Sequence, residues 1–157
     1  MQDSPHPDHL LAAVAGWLRD ELMPQLAAQP GLAASAYQAR VAANLLDLVG
    51  RQLRLAPATD AAECQRLQVL LAANGLPPTQ RPTMPQPPTD PQLPAEPLPP
   101  SARLAPLNQA LAEQLAQGRL GLDSPGLADH LWTTTLAKLA VDQPGYDTYR
   151  RATAQEP

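Results

Sequence analysis

The stretch from Ala33 to Leu53 reads AASAYQARVAANLLDLVGRQL. Tyr37, Val41, Leu45, Leu48 and Val49 recur along it at the spacing of one helix face. Arg40, Asn44, Asp47 and Arg51 fall at i, i+4, i+7 and i+11, so they line up as a polar stripe beside that face. The pattern predicts a helix over 33–53 with its large apolar residues turned inward. Asn44 sits between Val41 and Leu45. It is expected to be half-buried and therefore hydrogen-bonded to a neighbouring helix.

Working outward, the same period continues in both directions. A first helix is predicted over 8–28, with Leu10, Val14, Trp17, Leu18, Leu22 and Leu26 as its stripe. Ser4 or Asp8 is its candidate cap, and Pro24 its candidate kink. Gln29-Pro30-Gly31 breaks it. A third helix is predicted over 60–74, opened by an Asp60/Glu63 capping box and buried through Leu67, Leu70 and Leu71. Asn74-Gly75 is its stop.

From Leu76 to Ala102, 11 of 27 residues are proline. Proline carries no backbone donor, so the run reads as an exposed, semi-rigid spacer of polyproline type. Basic residues are not arranged around a PxxP core, so a spacer is preferred to a docking peptide. Helices resume over 104–117 (Leu107, Leu111, Leu115), with a stop at Gly118. The next is predicted over 125–142, started by Ser124-Pro125 and buried through Leu127, Leu131, Trp132, Leu136 and Leu139. Gln143-Pro144 ends it, and a short helix over 146–153 carries Tyr146 and Tyr149. The expected fold is all-α: one compact bundle of five to six helices over 1–157, interrupted by the proline-rich spacer.

Composition agrees. Apolar residues make up 44% of the chain and aromatics only 3%, with no Phe. Leu and Ala favour helices, while strands favour β-branched and aromatic residues. The net charge is −4 and the basic residues are scattered, which argues against a nucleic-acid partner. A single cysteine, Cys64, excludes an internal disulfide framework. No apolar run approaches the ~20 residues that span a bilayer. The N-terminal residues do not read as a signal peptide, so a cytoplasmic location is expected.

Chemistry is sparse. No Gly-rich phosphate loop, GxSxG elbow or zinc motif is present, and no catalytic residue, metal ligand or cofactor is assigned. His130 beside Asp129 is a weak candidate, because adjacent helical positions point to different faces. Lys138 and Asp142 stand at i and i+4 and read as a surface pair, with Asp142 also a candidate cap for the last helix. The candidate partner- or anion-binding residues are Arg40, Asn44, Arg51, Lys138, Asp142 and Tyr146.

Two segments carry a family resemblance: Arg40-Val41-Ala42-Ala43-Asn44, and Lys138-Leu139-Ala140-Val141-Asp142-Gln143-Pro144-Gly145-Tyr146. They resemble the two signatures of DUF6285, a family of small bacterial proteins of unknown function. Gln2-Asp3 and Leu107-Asn108 are similar too. The resemblance implies a setting beside an aminoglycoside-phosphotransferase-like kinase and an acyl-CoA dehydrogenase. It also implies likeness to the small subunit of a 4-hydroxyacyl-CoA kinase of levulinate breakdown. The expectation is thus a non-catalytic accessory subunit, with a homo-oligomer allowed. The alternative is a binding module in which Arg40, Arg51 and Lys138 hold a CoA ester or another anionic metabolite. Gln143 departs from the family's usual Asn, which predicts a poorer cap and a fraying last helix. If the two signatures meet in space, the proline-rich segment is an insertion between them.

Overall fold

The computed structural model describes residues 5–76 and 100–154. In order the elements are α1 (Pro7–Trp17), a π-helical segment (Leu18–Leu22), α2 (Met23–Ala27), α3 (Ala33–Ala73), α4 (Pro100–Ala116), α5 (Leu127–Asp142) and α6 (Asp147–Ala154). The protein is all-α, with no strand among the described residues. No helix among them is long and apolar enough to cross a membrane. Of the spacer expected over 76–102, residues 77–99 lie outside the described residues, as do Ser4 and Gln2-Asp3, while Leu76 packs partly buried against the core. The last residues assigned to the spacer, Pro100 to Ala102, instead form the first turn of α4. Proline is tolerated there because the first helical N–H groups have no intrahelical acceptor.

The predicted helices over 33–53 and 60–74 are one helix. α3 runs for 41 residues with Pro57 inside it. Proline cannot donate to the carbonyl four residues back, here Leu53, yet good helix formers on both sides carry the helix through. The Asp60/Glu63 pair therefore lies mid-helix and caps nothing. Glu63 is buried and accepts a hydrogen bond from Asn108 Nδ2 at 3.2 Å. Asp8 is likewise not a cap: α1 starts at Pro7, with His6 preceding it. Near Pro24 the chain widens instead of breaking. Met23 N–H bonds to the carbonyl of Leu18, the π spacing, just before the proline.

The chain divides into two compact units. One comprises 57–137, the other 1–56 with 138–157. Residues 33–56 of α3 belong to the second of these and 57–73 to the first.

The 57–137 unit has a leucine core: Cys64, Leu67, Leu70 and Leu71 from α3, Leu107 and Leu111 from α4, then Leu120 and Leu127. Each fully buried Leu contributes roughly 1.5–3 kcal/mol. Its helix ends are closed as expected at Asn74-Gly75 and Gly118. Leu76 N–H reaches the Leu71 carbonyl, and Arg119 N–H reaches that of Gln114. Both loops turn through a glycine at positive φ, Gly75 (+69°) and Gly118 (+67°). Ser124-Pro125 does not start α5. The Ser124 hydroxyl accepts instead from Gly121 N–H at 2.9 Å, and α5 begins at Leu127. The buried face of α5 also differs from its prediction. Leu127, His130 and Thr134 are buried, while Leu131 and Trp132 are exposed.

The other unit inverts its predicted packing. Its buried positions are Ala15, Ala36, Ala39, Ala43 and Gly50, with Val141 from the end of α5. Tyr37, Val41, Leu45 and Val49, predicted as the inward face, are exposed, Tyr37 by 66%. Leu48 is half-buried. Leu10, Val14 and Trp17 of α1 are exposed too. Helix separation depends on the side chains at the contact, so a face of alanines and glycine admits the closest approach. The large apolar side chains beside that face are then left outside.

Candidate functional site

The site is built on the outward face of α3. Val41, Asn44, Leu45, Asp47, Leu48 and Arg51 line an open groove of about 330 Å³, closed at one side by Asp142. All of these residues belong to the 1–56/138–157 unit. Helical spacing explains the α3 contribution: positions 41, 44, 45, 48 and 51 share one face. One hydrogen bond ties the residue beside Asp142 to this face. Arg51 Nε donates to the Val141 carbonyl at 2.6 Å. That carbonyl is among the last of α5, which have no intrahelical partner. A guanidinium there satisfies it and offsets the negative end of the helix dipole. On the other side, Asp47 pairs with Arg19 of the π segment at 2.6 Å. This is the one ion pair among the described residues.

The groove thus has an apolar floor of Val41, Leu45 and Leu48, with Asn44, Asp47, Arg51 and Asp142 around it. Of the candidate residues, the structure brings together Asn44, Arg51 and Asp142. Arg40, Lys138 and Tyr146 are exposed and do not line the groove. Asn44 is exposed, not half-buried, and it ties no helices together. Lys138 and Asp142 form no ion pair among the described residues.

Asp142 does not cap the last helix either, because α6 starts at Asp147. The intervening turn closes through Tyr146 N–H to the Gln143 carbonyl at 3.0 Å, and Arg150 N–H then bonds to the Tyr146 carbonyl. Gln143 acts through its main chain, so the exchange of Asn for Gln leaves this bond untouched. No grouping of three His, Cys, Asp or Glu side chains that could hold a metal occurs among the described residues. Sequence reasoning missed Arg19 as the partner of Asp47 and the main-chain acceptor at Val141. It also treated the groove floor as core.

With the two signature segments side by side, the family can be stated. The family described as Domain of unknown function (DUF6285) matches residues 30–146, about three quarters of the chain. The chain belongs to that family. No curated protein and no solved structure matches it.

Proposed function

We propose that the chain is a non-catalytic accessory subunit of an aminoglycoside-phosphotransferase-like kinase acting on hydroxyacyl-CoA or hydroxyacids in cytoplasmic acyl-CoA catabolism. The observation that carries this reading is the form of the groove. Its apolar floor and polar margin follow the pattern of a protein–protein contact, with an apolar centre and a hydrated rim. It is open, whereas small-ligand pockets enclose most of their ligand. Arg51, the cation in it, is engaged by the Val141 carbonyl. That favours a partner surface over a pocket for the phosphates of a CoA ester. The side chain of a partner helix seated on Val41 and Leu45 would meet Asn44 and Asp142 at the rim.

Co-purification of the chain with the kinase tests the proposal, together with kinase stability and turnover with and without it. Leu45→Asp is expected to abolish capture, because it places an unpaired charge in the apolar floor. A kinase equally stable and active without the chain would sink the reading.

A further inference from the structure

We draw no further inference here: the strongest candidate, the exposed apolar stripe of Tyr37, Val41, Leu45, Val49 and Leu53 along the first half of α3, continues the floor of the groove already described, and nothing in the structure shows what covers the rest of it.

Discussion

Arg51 on α3 donates through Nε to the main-chain carbonyl of Val141, 90 positions away in sequence and 2.6 Å away in space. Through this bond the two family signatures become one surface, with Asn44 from one and Asp142 from the other. Hydrogen bonds to a charged group contribute about 1.5–3 kcal/mol net. Arg51→Ala should lower the unfolding free energy measured in urea by that amount, and the midpoint with it. Arg51→Lys should recover part of the loss, since lysine keeps the charge at the helix end without the planar fork. An unchanged midpoint for Arg51→Ala would remove the bond from any stabilising role.

The Arg19–Asp47 pair should contribute far less. Its side chains are 39% and 35% exposed, so water and salt screen it. A double-mutant cycle with Arg19→Ala and Asp47→Ala should give a coupling of ~0.2–1 kcal/mol. The coupling should shrink toward zero in 1 M salt, where the Debye length is about 3 Å. A coupling that holds at high salt would mark the contact as a sheltered one.

Leu67 is 0% exposed at the centre of the 57–137 core. Leu67→Ala should destabilise by roughly 2–5 kcal/mol, from lost transfer energy and the cavity left behind. Leu122→Ala, at a side chain 78% exposed, should change stability by less than ~0.5 kcal/mol. Chemical denaturation of both variants separates the two outcomes.

Cys64 is a core thiol, and burial pushes its pKa up. Arg103 opposes the shift, while Asp60 and Glu63 add to it. The native protein should therefore react slowly with a thiol reagent near pH 8, and in urea at the rate of a free cysteine. The linked stability follows. A thiol whose pKa is raised by folding leaves stability intact below its unfolded pKa of about 8.5, and stability falls as pH rises from there toward the folded value. Cys64→Ser should remove that alkaline dependence. Equal labelling rates in the native and unfolded protein would contradict the burial.

Helix existence was legible in the sequence because apolar residues recur with the helical period along it and the stop signals at Gly75 and Gly118 agree with that period. The stops at Gly75 and Gly118 hold because a chain leaving a helix there needs a positive φ that glycine adopts freely. The division of α3 into two predicted helices fails at Pro57, where a local signal for a break is outweighed by helix formers on both sides. The inward faces of the N-terminal helices were misread for a different reason. Periodicity shows that two stripes exist around α3, one of alanines and one of large residues, and size suggested that the large one is core. The alanine stripe is the buried one. Asn44, Arg51 and Asp142 could be nominated from the signatures, yet the acceptor that joins them is a main-chain carbonyl. No side-chain pattern announces such a group.

The division of the chain also bears on the order of its assembly during synthesis. The 57–137 unit is one continuous stretch and can complete its leucine core from its own residues. The other unit needs Val141 to reach Arg51, and that acceptor is translated after the whole 57–137 stretch. At about 5–20 residues per second, the first 56 residues wait several seconds for their closing segment. Their apolar side chains are uncovered throughout. Helices translated before the 57–137 unit thus find their complete setting after it, and the interval is one in which a chaperone or a second nascent chain has time to act.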